Sequence, residues 1–474
     1  MMMTREQAEA LYRQGLEPTV AMLLELSRRA EAAEEKLRTN SSNSSKPPSS
    51  DPPAVHRPPR KQRGKRRRGG QPGHKGTTRP LLPPAAVDHF VPCLPTEQCE
   101  CGGHVTCDDV PPQRQRKVEL PEIKPTVMEY QCYCGACERC GRQHWGEIPQ
   151  GVPAGMLGPR AMAVVALLSG KYHLSKRQVA EILQDLLGTA VSLGTVSNTE
   201  ARVSEALAEP VEEAKTFVQQ QAVVHADETG HKVGGKKAWM WVAATTMVSV
   251  FLIRFSRGTE VAKELLGEKF RGWLVSDRWH AYTWVDVLRR QLCWAHLERD
   301  ITKIAERGER SEEIGNAILE YVQRMWHLWH RFKSGERSRP WLQSKMRPIR
   351  GAVEALLEQG TACGHPMTQE TCKRILKLRA ALWTFVDIAG VEPTNNFGER
   401  TIRPYVLWRK ISFGTQSDRG NLFVERMMTV TATCRQQRRN VLEYLTAAIQ
   451  AHLCGQQAPS LLPQDLAAEV SRAA

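Results

Sequence analysis

The hydrophobic period changes between residues 221 and 278, and that change constrains the fold more than any other feature. On either side the apolar residues recur at helical spacing. Within it they form short Val-, Trp- and Phe-rich runs broken by turns. Residues 237–245 (KAWMWVAAT) and 248–255 (VSVFLIRF) read as strands separated by a short turn. Residues 221–225 read as a strand before them, 259–266 (TEVAKELL) as a helix after them, and 273–276 (WLVS) as a fourth strand. A β-β-β-α-β order surrounded by helices predicts an α/β domain. An acid follows the first strand, Asp227 in HADETG, and another follows the fourth, Asp277 in VSDRW. If those two strands are neighbours, the two acids meet across the seam. Alternation sends Asp227 and Glu228 to opposite faces, so only one of them enters a shared site. Trp239 and Trp241 share one face and read as core rather than as base-stacking groups.

A third acid comes from a later helix. Residues 297–389 read as mainly helical and basic, and Glu399 follows in a helical stretch, NNFGERTIRPYVLWRK, near Asn395 and Asn396. Three converging carboxylates raise one another's pKa, and divalent cations relieve the repulsion. Oxygen ligands with a partly open shell suit magnesium or manganese. Two such ions, about 3.5–4 Å apart, clamp the attacking and leaving oxygens of an in-line phosphoryl displacement. Arg400, Arg403, Arg409 and Lys410 flank Glu399 and are candidate phosphate contacts, which position DNA without reading its sequence. Loop-end acids in surface ion pairs would give the same residue types.

Charge indicates the partner. The 474 residues carry a formal net charge of +15, and ten Lys/Arg with no acid fall within residues 57–79. Such a block repels itself, stays extended and attracts polyanions. Arg60, Lys61, Arg63, Lys65, Arg66, Arg67, Arg68 and Lys75 are therefore candidate contacts to double-stranded DNA; a solubilising tail has the same composition. The sequence holds no apolar run of membrane-spanning length, and its first residues lack the basic-then-apolar pattern of a signal peptide. A membrane protein, a secreted disulfide scaffold and an acidic disordered chain are excluded as expectations.

Of 13 cysteines, eight lie between Cys93 and Cys140. In a chain that is not exported, that clustering reads as metal binding before disulfides. Cys137-Glu-Arg-Cys140-Gly is a knuckle of zinc-ribbon type, and Cys99-Glu-Cys101-Gly-Gly is a shortened partner. A closed site of Cys99, Cys101, Cys137 and Cys140 would be structural, with Cys132 and Cys134 as competing ligands. Residues 4–38 read as a helix with Leu16, Leu23, Ala30 and Leu37 at heptad spacing, which fits a coiled coil or a helix packed on its own domain. Ser175 caps SKRQVAEILQDLLG, with Val179, Ile182, Leu183 and Leu186 on one face and Gly188 as the stop. A polar helix follows after a turn, a helix-turn-helix pattern that a plain bundle shares.

The resulting organisation is a helix or coiled coil at 1–38, a Ser/Pro linker and basic arm at 39–84, and a cysteine domain at 85–150. A helix-turn-helix region at 151–215, a catalytic α/β domain at 216–430 with a helical insertion at about 297–390, and a helical tail at 431–474 complete it.

The strings HADETG, SDRWHAY, QLCWAHLERD and PTNNFGERTIRPYVLWRKISFGTQSDRG, in that order, resemble a DDE transposase of the insertion-sequence-sixty-six family. The resemblance extends upstream through QPGHKG, the cysteine knuckles, GVPAGMLGPR and LSKRQVAEIL, and so covers nearly the whole chain. It implies an RNase H-like catalytic domain interrupted by a helical insertion, with Asp227, Asp277 and Glu399 as the catalytic, magnesium-binding acids. His296 in Cys293-Trp-Ala-His296 matches a family motif and orients an element or faces the scissile phosphate. The residues 417–420 (SDRG) read as a turn near the same site. The resemblance further implies element ends and target DNA as substrates, a homo-oligomer, accessory proteins of the same element, and work in the bacterial cytoplasm on the nucleoid. A nuclease without strand transfer and a non-catalytic DNA-binding regulator are the rival functions.

Overall fold

The structure is a computed structural model that describes residues 12–38, 81–107 and 110–463, with the backbone alone for residues 30–38. The basic arm at 57–79 lies outside the described residues. The chain divides into two units, Pro53–Glu122 and the remainder. In the smaller unit the described backbone is largely irregular. A bridge between Gln98 and His104 closes a turn in which the Cys99 amide donates to the Gly103 carbonyl at 2.9 Å.

In the larger unit, helix α1 (Leu16–Arg38) leaves Leu16, Leu23 and Leu24 exposed. The continuous helix expected over 4–38 is broken at Gly15, whose φ of +115° no helix accommodates. Strands β1 (Cys134–Ala136) and β2 (Gln143–Trp145) pair antiparallel around the Cys137–Cys140 knuckle. Four helices follow: α2 (Pro159–Ala166), α3 (Lys176–Leu187), α4 (Leu193–Ala206) and α5 (Ala208–Gln219). Ser175 and Gln178 form a reciprocal capping box at the start of α3, and Gly188 ends it in the left-handed region. Val179 and Leu183 are buried, but Leu186, expected on the same face, is exposed because Leu187 takes the inward side of the last turn.

The sheet runs β5-β4-β3-β6-β7, comprising β3 (Val223–Val233), β4 (Lys236–Ala244), β5 (Ser249–Arg254), β6 (Trp273–Ser276) and β7 (Arg290–Leu292). β3, β4 and β5 are antiparallel; β6 and β7 run parallel to β3. Gly234 and Gly235, both at positive φ, make the two-residue turn that joins β3 to β4. Helix α6 (Thr259–Leu266) carries the chain from β5 back to β6. Trp241 is fully buried, whereas Trp239 is half-buried against Arg257.

One correction bears on the site. β3 does not stop at Asp227, as the hydrophobic run suggests, but continues to Val233, because the hairpin with β4 stays paired to Lys236. What ends near Asp227 is the parallel pairing with β6, at His225 opposite Val275.

An insertion between β7 and the last acid holds α7 (Trp294–Ala305), α8 (Glu309–Lys333), α9 (Arg339–Gly360) and α10 (Pro366–Leu376). Its core of Ile318, Val322, Met325, Leu342 and Val353 joins the sheet through Val275 and Leu292. Then come α11 (Asn396–Ser412), α12 (Asp418–Gln436) and α13 (Val441–Leu453). Residues 417–420 are not a turn: the Ser417 hydroxyl accepts from the Gly420 amide and caps α12.

Helix α12 also closes the free edge of the sheet. The outward amides of Ser249 and Phe251 donate to the hydroxyls of Thr433 and Thr429, each at 3.1 Å, and that of Ile253 donates to Glu425 Oε1 at 2.7 Å. Two strand residues advance about 6.6 Å and four helix residues about 6.0 Å, so every second amide meets every fourth side chain. An edge that would otherwise recruit another strand is thereby satisfied.

Candidate active site

Asp227 lies on β3 and Asp277 immediately after β6, each two residues past the last paired step of the parallel ladder, so the register carries them to the same level. Both are half-buried. The Trp279 amide donates to Asp277 Oδ1 at 2.8 Å and the Glu228 amide to Asp227 Oδ1 at 3.0 Å. Glu399 stands in the first turn of α11, where the helix dipole favours an acid. Asp227's carboxyl is held well above the usual range, first by burial and then by the charges of Glu228, Asp277 and Glu399. The three acids thus act on one another electrostatically.

Asn395, at the head of α11, clamps this arrangement. Its Nδ2 donates to the Ala226 carbonyl at 2.8 Å, its Oδ1 lies 3.1 Å from His225 Nδ1, and its amide donates to Cys293 Sγ at 3.2 Å. One buried amide side chain therefore ties the helix bearing Glu399 to the strand bearing Asp227. The Trp294 amide donates to the Pro393 carbonyl at 2.9 Å and fixes α7 to the same corner. Beneath Asp277 the buried Arg290 guanidinium donates to the Asp277 carbonyl at 3.1 Å and to the Ser276 hydroxyl at 3.2 Å. Burial lowers its pKa to about 10.

Glu228 faces away from Asp227 into a second network. Its Oε1 accepts from Arg257 at 2.6 Å and its Oε2 from the Tyr282 hydroxyl at 2.6 Å. The Arg257 guanidinium stacks between Trp239 and Trp279, at 4.6 and 3.6 Å from the ring centres. A bonded, buried carboxylate of this kind braces Trp279, whose amide holds Asp277.

Donor atoms of Cys293, His296 and Glu399 lie within 4.8 Å of one another. His296 Nδ1 is 3.6 Å from Glu399 Oε1, and both atoms are buried without a hydrogen-bond partner. Burial raises the Cys293 thiol to about 11. A buried carboxylate oxygen without a hydrogen bond, on an acid whose charge reaches Asp227, is the kind of oxygen donor that a hard divalent cation takes.

The flanking cations divide by environment. Arg400, Arg403 and Lys410 are exposed along α11. Arg409 is not a free phosphate contact, because its guanidinium is bonded to the Gly230 carbonyl on β3. The cysteine knuckles lie in different units. In one, the Cys137 thiol is held below its ordinary value by the backbone amides of Cys140 and Arg139; in the other, Cys101 is lowered by that of Gly103. The sequence does not mark Arg290, and it shows Glu228 only as the acid that alternation turns away from Asp227. Asn395 was visible there only as a neighbour of Glu399, and the span of about 170 residues to its partners gave no signal.

Among the described residues no helix is long and apolar enough to cross a membrane. A family of unknown function (DUF6444) matches residues 3–80. The chain is 28% identical over 240 residues to an uncharacterized protein, y4qI, of Sinorhizobium fredii (strain NBRC 101917 / NGR234). That match covers 45% of this chain and 43% of y4qI, so the chain spans less than half of its relative. A model described as Transposase IS66 family matches residues 154–422, more than half of the chain and the stretch that holds Asp227, Asp277 and Glu399. The chain belongs to the IS66 transposase family.

Proposed function

We propose that this protein is a DDE-type DNA transposase that binds the ends of its mobile element and catalyses strand cleavage and strand transfer. The observation that supports this reading is that Asp227 and Asp277 stand at one level of adjacent parallel strands, with Asp227 raised by burial and by the charges of Glu228, Asp277 and Glu399, and with one Glu399 oxygen buried without a hydrogen bond. Magnesium or manganese held by these three acids would activate the attacking oxygen and offset charge on the leaving oxygen of a phosphodiester.

The chain's own residues supply placement. The Trp279 amide fixes the rotamer of Asp277, and Arg290 fixes the backbone beneath it. Asn395 keeps Glu399 in reach of β3. His296 limits the freedom of Glu399 from the other side. Arg400, Arg403 and Lys410, exposed beside Glu399, would meet the phosphates that flank the scissile bond. The domain is RNase H-like in this reading, since a mixed sheet presents two acids from adjacent parallel strands and a later helix presents the third.

The remaining parts serve binding. Helices α3 and α4 would act as a helix-turn-helix unit, and the arm at 57–79 would add non-specific attraction. The exposed apolar residues of α1 would pair protomers, and the Cys137–Cys140 and Cys99–Cys101 knuckles are zinc-ligand candidates. Zinc content of purified protein, before and after C137S/C140S, tests the first knuckle: an unchanged metal content would remove it.

The test of function is a transposition assay with a marked copy of the element. Wild type is expected to give joined products, and D227N, D277N and E399Q to give none while still binding end DNA. Cleavage without joining would favour a nuclease. Undiminished transposition by all three variants would overturn the catalytic assignment and favour a regulator.

A further inference from the structure

Away from the acids, a cavity of about 480 Å³ opens where the chain turns between α12 and α13. Its cations come from two segments. Lys171 ends a π-turn, Leu167–Lys171, in which the Tyr172 amide bonds to the Leu167 carbonyl at 3.1 Å. Single π-turns of this kind recur at functional positions. Arg435 lies in the last turn of α12, and Arg438 and Arg439 follow it. Arg438 occupies the left-handed region at φ +57°, a position that glycine fills at lower cost.

Arg439 is committed: it donates to the Ser460 carbonyl at 2.9 Å and lies over the Tyr444 ring. Lys171, Arg435 and Arg438 form no ion pair or side-chain hydrogen bond among the described residues. At the wall is Thr431, 6% exposed, whose hydroxyl has no hydrogen-bond partner. A helical threonine ordinarily bonds back to the carbonyl four residues earlier, as Thr446 does to Leu442. Four cations around one concavity repel each other, and a buried hydroxyl without a partner costs on the order of 1–3 kcal/mol. An anion that bonds Thr431 and lies among the cations relieves both.

We infer that this cavity binds a backbone phosphate of duplex DNA, in addition to the contacts beside Glu399. The inference rests on the DNA-binding reading above. Helix α12 gives the reason to prefer DNA to a small anion. At its other end Arg419 donates to the Ser197 carbonyl at 3.1 Å, and midway Arg426 donates to the Ser204 carbonyl at 2.8 Å, both on α4. The cavity stands about 24 Å along α12 from Arg419. One rigid rod thus joins the cavity to the helix pair proposed to hold end DNA, and the cavity is open on its outer side to an extended ligand.

The experiment is fluorescence anisotropy of full-length protein with a labelled duplex over a series of KCl concentrations. Wild type must bind, and its failure to do so would sink the DNA-binding reading itself. Given binding, K171Q/R435Q/R438Q is expected to lower the slope of log affinity against log salt by about 0.9, the value for one lost phosphate contact. R435K/R438K, which keeps the charge, is expected to hold the wild-type slope. K345Q/R347Q/K377Q removes the same charge from the insertion and is expected to change the slope less. A wild-type slope in the first variant, or an equal fall in the third, would overturn the inference. So would loss of inorganic-phosphate binding, measured by calorimetry, with the DNA slope intact. Melting temperatures shared with wild type establish that the folds are comparable.

Discussion

Asn395 ties the helix that carries Glu399 to the strand that carries Asp227. It satisfies the Ala226 carbonyl and His225 on β3 while its own amide bonds Cys293. Asn395→Ala leaves the Ala226 carbonyl buried and unpaired at a cost of about 1–3 kcal/mol. We expect a lower urea midpoint and a loss of transposition larger than the stability loss explains. A variant destabilised but fully active at low temperature would show that Asn395 does not position Glu399.

His231 is one residue that couples the stability of the fold to pH. It is buried between the Tyr405 hydroxyl and the Thr415 hydroxyl, the latter at 2.9 Å. Burial, opposed by hydrogen bonding from Asn421 and aided by the Arg409 charge, lowers its pKa from 6.5 to about 4. The folded value lies below the unfolded one, so the unfolded chain takes the proton first. The stability from this group is therefore full above pH 6.5 and declines as pH falls toward 4, by on the order of 2–3 kcal/mol. Urea denaturation at pH 7.5 and pH 5 is expected to show this loss, and His231→Gln to reduce it. An equal pH dependence in the variant would assign the effect elsewhere.

At the scale of elements, the edge of the sheet depends on α12. Thr429→Val and Thr433→Val keep the volume but remove the acceptors for the Phe251 and Ser249 amides. Each is expected to cost about 1–3 kcal/mol, and the double variant to aggregate through the freed strand edge, as light scattering would reveal. A double variant as stable and monodisperse as wild type would mean that water replaces the hydroxyls. Elements whose signals are local were legible in the sequence: Ser175 and Gly188 announce both ends of α3, and the order of strands and α6 follows from periodicity. The length of β3 was not, because the polar stretch from Glu228 to Lys232 hides its pairing with Lys237–Trp241 on β4. The Thr429 and Thr433 ladder was invisible, since threonines on a helix carry no local mark of the strand they serve.

The whole molecule combines an acidic centre with an excess of positive charge. The common level of Asp227 and Asp277 was legible because each closely follows an apolar run, and those runs pair in the parallel ladder, although β3 itself continues to Val233. Arg409 could not be distinguished from its neighbours, because nothing local says that it turns back to Gly230. The charge has separable parts: the arm at 57–79, the exposed side of α11 and the cavity beside α12. Deleting residues 57–79 removes ten cations and is expected to lower the salt slope of DNA binding while leaving the acids' chemistry intact. An unchanged slope would exclude the arm from the interface.

The acids must act as one metal-binding centre for the account to hold. Manganese binding to purified full-length protein, followed by electron paramagnetic resonance, tests this directly. Wild type is expected to bind manganese, and D227N, D277N and E399Q each to lose bound metal while retaining the wild-type melting temperature. Manganese binding of unaltered affinity and stoichiometry in all three variants would contradict it.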